Sequence, residues 1–174
     1  MCSKKPYFPM FVDLSEKKIV VIGGGRVAER RVKTLLKFAQ DILVISPAVT
    51  EKLLQQAKDG KIRWIAETVC VTDGICGGET GKFLRGADMV LAATDDGALN
   101  ERIRLFCRER GIFVNVSHEK ELCDFYFPAV VIRGNVTVGI TSGGIDHAQA
   151  RKVRERVEEV LEEDVGVRIE DAKE

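Results

Sequence analysis

The sequence predicts an α/β protein, a doubly wound parallel sheet carrying a small α+β appendage, and three observations lead there. First, the apolar run Ile19-Val20-Val21-Ile22 breaks into Gly23-Gly24-Gly25-Arg26-Val27-Ala28, a strand followed by a tight glycine turn and a helix start. Second, apolar runs and helical periodicities alternate from there to about residue 116, the pattern of parallel strands joined by helices. Third, the alternation then stops. Phe125 to Ile132 and Asn135 to Thr141 read as two strands joined by Arg133-Gly134-Asn135, with no helix between them.

Composition bounds the class. A chain of 174 residues buries one good core, or one core plus a small appendage. Its 45% hydrophobic and 31% charged content is that of a soluble globular protein and excludes a disordered chain. No apolar run approaches the roughly 20 residues of a membrane span, so no membrane partner is expected. Met1-Cys2-Ser3-Lys4-Lys5-Pro6 has basic residues with no apolar stretch behind them, so a signal peptide is not expected either. Lys plus Arg and Asp plus Glu balance at 27 each, which argues against a broad nucleic-acid footprint. The 5 cysteines are an odd number at irregular spacings, which fits a reducing cytoplasm. Cys70 and Cys76 are too loosely spaced for a zinc knuckle and read as loop residues, so no metal site is expected.

The elements follow in order. After the first strand, Gly23 permits the turn, Gly25 leaves room for phosphate oxygens, and Ala28 lets the helix lie close on the sheet. Unpaired N–H groups and the positive end of the helix dipole would meet the anion, which makes this domain Rossmann-like. Ala28, Val32, Leu35, Leu36 and Ala39 recur at helical spacing, and a second strand runs from Ile42 to Ile45. Thr50 to Lys58 is a short helix and Ile62 to Ile65 a third strand. Thr68 to Gly81 turns polar and glycine-rich, reading as an inserted loop. Met89 to Ala93 is a buried strand, Leu99, Ile103, Phe106 and Cys107 form the inner face of a helix, and Phe113 to Val116 is the next strand. Ligands of such sheets bind at the carboxyl ends of the strands, where Gly23, Ser46, Thr94 and Ser117 stand.

Beyond residue 116 the strand pair is followed by Ser142-Gly143-Gly144 and a helix from Asp146 to Glu163, with Val153, Val157, Val160 and Leu161 as its apolar stripe. Asp146 and Gln149 have the spacing of a capping box. The expected organisation is a dinucleotide-binding domain over 1–116, a dimerisation and substrate-cleft region over 117–164, and a flexible tail over 165–174. Two strands and one helix cannot bury their own apolar faces. They need the first domain or a second subunit.

Several segments together resemble a known family. They are Tyr7-Phe8-Pro9-Met10-Phe11-Val12-Asp13-Leu14, the glycine turn, Ala92-Ala93-Thr94-Asp95-Asp96 with Asn100, Val114-Asn115-Val116, Leu122 to Ala129, and Thr141-Ser142-Gly143-Gly144. The sequence resembles the precorrin-2 dehydrogenase/sirohydrochlorin ferrochelatase family, which includes the N-terminal portion of bacterial siroheme synthase. The resemblance runs from about Tyr7 to Leu161. It implies an NAD-dependent oxidation of a tetrapyrrole, precorrin-2, to sirohydrochlorin on a homodimer whose second domains interlock; some members also insert ferrous iron.

By the same resemblance, Gly23, Gly25, Arg26 and Val27 hold the cofactor phosphates, Ser46, Pro47 and Ala48 border the adenosine ribose, and Thr94 and Asp95 face the nicotinamide. Asn115, Ser142, Gly143 and Gly144 line the substrate cleft. Arg133 and Arg151 are candidate carboxylate clamps, against the alternative of solvated surface residues. The sequence departs from the family in three places. Where the family carries an aspartate assigned as general base, this chain reads Val116-Ser117-His118. An imidazole can accept a proton at neutral pH, so His118 is the expected catalytic base; the alternative is an exposed loop histidine in a protein without the activity. The family's Gly-Gly-x-Ser-Pro is Gly143-Gly144-Ile145-Asp146-His147 here, and the chain stops where family members continue into a further helical region. The acidic residue expected after the second strand for the NAD ribose is replaced by Ser46-Pro47, so NAD over NADP rests on the resemblance alone. Two other readings stand beside the dehydrogenase: a non-catalytic dinucleotide- or tetrapyrrole-binding protein, and a ferrochelatase using His118, His147 or Asp124.

Overall fold

The computed structural model describes residues 7–72, 75, 76 and 78–171. They form two compact units, Val12–Tyr126 and a second in which the residues before Val12 join those from Phe127 onward. Among the described residues no helix is long and apolar enough to cross a membrane.

The larger unit begins with β1 (Lys18–Ile22), α1 (Arg26–Leu35), β2 (Asp41–Ile45), α2 (Glu51–Lys58) and β3 (Arg63–Ile65). A short antiparallel pair follows, β4 (Val71–Thr72) with β5 (Ile75–Cys76), then α3 (Gly78–Arg85). β6 (Met89–Ala92), α4 (Gly97–Arg108), β7 (Phe113–Val116) and a 3₁₀ turn, Lys120–Leu122, complete it. The 5 long strands form one sheet in the order β3-β2-β1-β6-β7, all parallel. The chain leaves β1 toward one edge and returns through β6 toward the other. The crevice where the order reverses therefore opens at the carboxyl ends of β1 and β6.

Alternation along the strands divides the core. Val20, Ile22, Leu43, Ile45, Val90, Ala92, Val114 and Val116 pack with Leu99, Ile103, Phe106 and Cys107 of α4 and Leu84 of α3. Residues of opposite parity, among them Ile19, Val21, Ile42 and Val44, are also buried, as are Ala28, Val32 and Leu35 of α1 and Leu53 of α2. Both faces of every central strand are thus covered, which is why these strands read as unbroken apolar runs. Each fully buried Leu, Ile or Phe contributes about 1.5–3 kcal/mol.

Two stretches differ from expectation in this unit. The polar segment 68–81 holds the β4–β5 pair and the start of α3, an element that Gly78 and Gly81 conceal because glycine weakens helical periodicity. The boundary lies after Tyr126, not after residue 116. Hydrogen bonds explain the shift: Asp124 accepts from the Val114 N–H at 3.0 Å, and its own N–H donates to Val114 O at 2.9 Å, stitching 117–126 to β7.

The second unit is a hairpin, β8 (Ala129–Arg133) with β9 (Val136–Ile140), paired antiparallel and turned at Gly134, whose φ is +53°. Its helix, α5 (His147–Asp171), lies against β8. Asp146 caps it, accepting from the Gln149 N–H at 2.8 Å. The helix expected to end at Glu163 runs to Asp171, through Gly166.

Candidate functional site

The three glycines of the turn have different tasks. Gly23 has φ +111°, and a Cβ there would stand 2.4 Å from the carbonyl oxygen of Ala93. A Cβ on Gly24 would stand 2.1 Å from Ala48 O, and Gly24 O accepts from the Thr50 N–H at 3.0 Å. Both positions are closed by backbone. Gly25 is the N-cap of α1 at ordinary extended dihedrals, and a Cβ built on it would meet nothing within 4 Å. No side chain caps this helix, so the N–H groups of its first turn point into that open space. Glu29, one turn along, reaches Lys52 of α2 at 3.0 Å and is held below the usual carboxylate range first by the Thr50 hydroxyl and then by Lys52. It ties the start of α1 to that of α2.

At the end of β2, Ser46 is buried and its hydroxyl donates to Ala48 O at 2.7 Å, closing the Ser46-Pro47-Ala48 turn on itself. The Trp64 indole N–H donates to Ser46 O at 3.0 Å, and the Ser46 N–H to Ile65 O at 3.1 Å. The turn is braced from β3, and the loop after β3 carries the exposed carboxylate of Glu67 to the same cavity.

At the end of β6, Asn100 organises the loop into α4. Its side chain is fully buried; Oδ1 accepts from Thr94 N at 3.2 Å and Thr94 Oγ1 at 2.8 Å, and Nδ2 donates to Thr94 O at 3.0 Å. Nδ2 also lies 3.2 Å from Nδ1 of His118. Asp96 caps α4, accepting from the Leu99 N–H at 2.9 Å. His118 is exposed just beyond β7, over the first residue of α4.

These three strand ends enclose one cavity of about 770 Å³. It brings together Gly23, Gly25, Arg26 and Val27, then Ser46, Pro47 and Ala48, then Thr94 and Asp95. The volume lies within the range of small-molecule sites. A dinucleotide fits its chemistry: an open, uncapped helix start for the pyrophosphate, a braced turn beside a carboxylate for a ribose, and polar groups at the central strand ends.

The expected substrate residues are arranged differently. Asn115, expected to line a cleft, turns inward at 3% exposure, and its Nδ2 donates to Phe125 O at 2.7 Å. Alternation decides this, because Val114 and Val116 face the core on the other side. Arg133 and Arg151, the candidate carboxylate clamps, both pair with glutamates of α5. Arg133 pairs with Glu158 at 3.5 Å and with Glu162, and Arg151 with Glu155 at 2.8 Å. Ser142, Gly143 and Gly144 form the turn into α5 in the second unit. Ser142 Oγ accepts from the Asp146 N–H at 3.1 Å, and Gly143 and Gly144 have φ of +65° and +74°. Asp146 is spent as a helix cap. Among the described residues no three His, Cys, Asp or Glu side chains gather as a metal site.

Asn100 and Glu67 are the residues whose place in the site the sequence reading missed. Asn100 carried a signal, being the polar member of an inner helix face otherwise made of Leu99, Ile103, Phe106 and Cys107. Glu67 carried none.

Fold and turn together define a dinucleotide-binding α/β unit. The chain belongs to the family described as "Putative NAD(P)-binding", whose model matches residues 10–129. It is 33% identical over 160 residues to Siroheme synthase 1 of Pectobacterium atrosepticum, a match covering 92% of this chain and 31% of that protein. It is also 33% identical over 161 residues to the siroheme synthase of Mannheimia succiniciproducens, covering 92% of this chain and 32% of that one. The chain therefore spans about a third of the length of these relatives. The fold is that of the solved structure of SirC, precorrin-2 dehydrogenase, with TM-score 0.69 and 22% identity over 87% of this chain and 69% of that one.

Proposed function

We propose that this chain oxidises precorrin-2 to sirohydrochlorin with NAD as the acceptor, acting as a homodimer in the cytoplasm. The observation that carries the reading is Gly25, whose open approach and uncapped helix start lie inside the strand-end cavity. The ordered motifs from Tyr7 to Leu161, the siroheme synthase relatives and the likeness to SirC support the choice of substrate.

The reaction removes a hydride and a proton from precorrin-2 and yields sirohydrochlorin and reduced cofactor. NAD bound at the turn supplies the hydride acceptor. The chain's own groups bind and orient. The N–H groups at Arg26 and Val27 take the pyrophosphate, Ser46, Pro47 and Ala48 border the adenosine ribose, and Thr94 and Asp95 border the nicotinamide end. Glu67 favours NAD over NADP, since its carboxylate can accept from ribose hydroxyls and repels a 2′-phosphate. His118, at the adjacent strand end, is the side chain assigned to the reacting substrate. Ser142, Gly143 and Gly144 are assigned to the substrate on the resemblance alone.

The test is purified protein with NAD and precorrin-2, following absorbance of reduced cofactor and of sirohydrochlorin together. Equal production of both is expected. Tight NAD binding with neither product formed would replace the enzyme with a binding protein.

A further inference from the structure

The buried amide of Asn100 has one orientation. The Thr94 N–H can only donate and the Thr94 carbonyl only accept, so Oδ1 must face the first at 3.2 Å and Nδ2 the second at 3.0 Å. A flipped amide would set N–H against N–H and oxygen against oxygen. Nδ2 has two hydrogens, and with one committed to Thr94 O the other is directed to Nδ1 of His118 at 3.2 Å. A ring nitrogen that meets an N–H must present its lone pair. In a neutral imidazole the proton then resides on the other nitrogen, Nε2.

We propose that Asn100 is a positioning residue that holds His118 as the Nε2–H tautomer, so that His118 meets its ligand as a hydrogen-bond donor and not as a proton acceptor. The lone pair that would take a proton is turned toward a buried amide. The nitrogen beside the first residue of α4, whose distance to a Cβ built on Gly97 is 3.5 Å, already carries its hydrogen. Glu101, on the same helix, is committed to Arg104 through two hydrogen bonds of 2.8 and 2.6 Å. The donor role replaces the catalytic base expected from the sequence. Its use against a polycarboxylate rests on the reading of precorrin-2 as substrate; the accompanying proton of that oxidation is then released to water.

The tautomer is tested without cofactor or substrate. The chain has 2 histidines, and His147, exposed at the start of α5, serves as an internal reference. In protein labelled with ¹⁵N in its imidazoles, at a pH where both rings are neutral, Nδ1 of His118 should give the signal of an unprotonated nitrogen and Nε2 that of a protonated one. Asn100→Ser should move His118 to the tautomer ratio of His147. A proton on Nδ1 in the wild type, or a wild-type ratio equal to that of His147, overturns the proposal, and this spectrum decides even if Asn100→Ser fails to fold.

Turnover supplies the second measurement. Glutamine offers an acceptor and a donor in place of the ring nitrogens but no basic group. His118→Gln should therefore turn over at least about tenfold faster than His118→Ala, the scale of one hydrogen bond to a charged partner. Equal loss in both variants would make His118 a base and overturn the donor role. A wild type inert toward precorrin-2 and NAD would instead count against the proposed reaction, while the spectrum still decides the tautomer.

Discussion

Gly23 and Ala93 touch backbone to backbone, so that a Cβ added at Gly23 would stand 2.4 Å from the Ala93 carbonyl oxygen. The contact joins the exits of β1 and β6, the two strands between which the sheet reverses its order. A Cβ built on Gly25, two residues on, would meet nothing within 4 Å. One glycine closes the floor of the cavity and the other leaves its entrance open.

Substitutions should separate these two tasks. Gly23→Ala combines a left-handed φ with a clash against main chain and should destabilise the fold by at least about 2 kcal/mol. Gly25→Val keeps accessible dihedrals, costs about 1 kcal/mol as a poorer N-cap, and leaves the protein folded. Its side chain occupies the pyrophosphate position, so NAD affinity should fall by about tenfold or more. Calorimetry with NAD alongside thermal melts checks both, and unchanged affinity in folded Gly25→Val would remove the phosphate role of the turn.

How far the sequence could be read follows from where its signals lie. The apolar runs of β1, β2, β6 and β7 and the inner faces of α1 and α4 are local periodicities, so the sheet, its class and the cavity floor were legible. The partners of Asn115, Arg133 and Arg151 were not. A polar side chain on a strand or helix carries no mark of whether it meets a ligand or a neighbour. Only the assembled fold shows Arg133 reaching the helix 25 residues on at Glu158, or Asn115 turned to Phe125. Asp146 lay between these cases: its spacing from Gln149 announced a cap, and a cap it is.

Cofactor choice should follow Glu67. Ser46 follows β2 where an acid would read the ribose, but β3 is hydrogen-bonded beside β2, and the loop after β3 lines the same cavity with a carboxylate. Glu67→Gln removes the charge and keeps the size. The ratio of NAD to NADP affinity should fall by about tenfold, the scale of one charge-assisted hydrogen bond. Fluorescence titration with both reduced cofactors measures it. An unchanged ratio would take specificity away from this loop.

Acid sensitivity has a contribution from Asp88. Its carboxylate accepts from the Lys18 N–H at 2.9 Å and from Lys17 Nζ at 3.0 Å, joining the starts of β1 and β6. The backbone N–H of Lys18 first, and Lys17 second, hold its pKa below the ordinary value of 3.8. A depressed folded value means stability that is fully present above the ordinary value and is lost as pH falls through the folded one. Melting temperature should therefore fall below about pH 4 in the wild type and less steeply in Asp88→Asn, which has no proton to gain there. Parallel slopes in the two proteins would show that this carboxylate does not contribute.

The second unit leaves apolar surface uncovered. On α5, Val153 and Val160 are 42% and 56% exposed, and Val136 on the hairpin and Ile145 before the helix are 49% and 84% exposed. On α5, Arg151 pairs with Glu155 and Arg154 with Glu158, so these charges do not require a partner, and the exposed valines do. Exposed apolar patches of this kind mark interfaces, and a second copy supplies a matching patch by symmetry. Light scattering at micromolar concentration should give the mass of a dimer. Replacing both Val153 and Val160 with glutamate should shift it to monomer while the NAD affinity of the sheet unit is retained, because the cavity is lined by residues of that unit alone. A stable, folded wild-type monomer would contradict the dimer, and loss of NAD binding in the double variant would mean that dimerisation shapes the cofactor site as well.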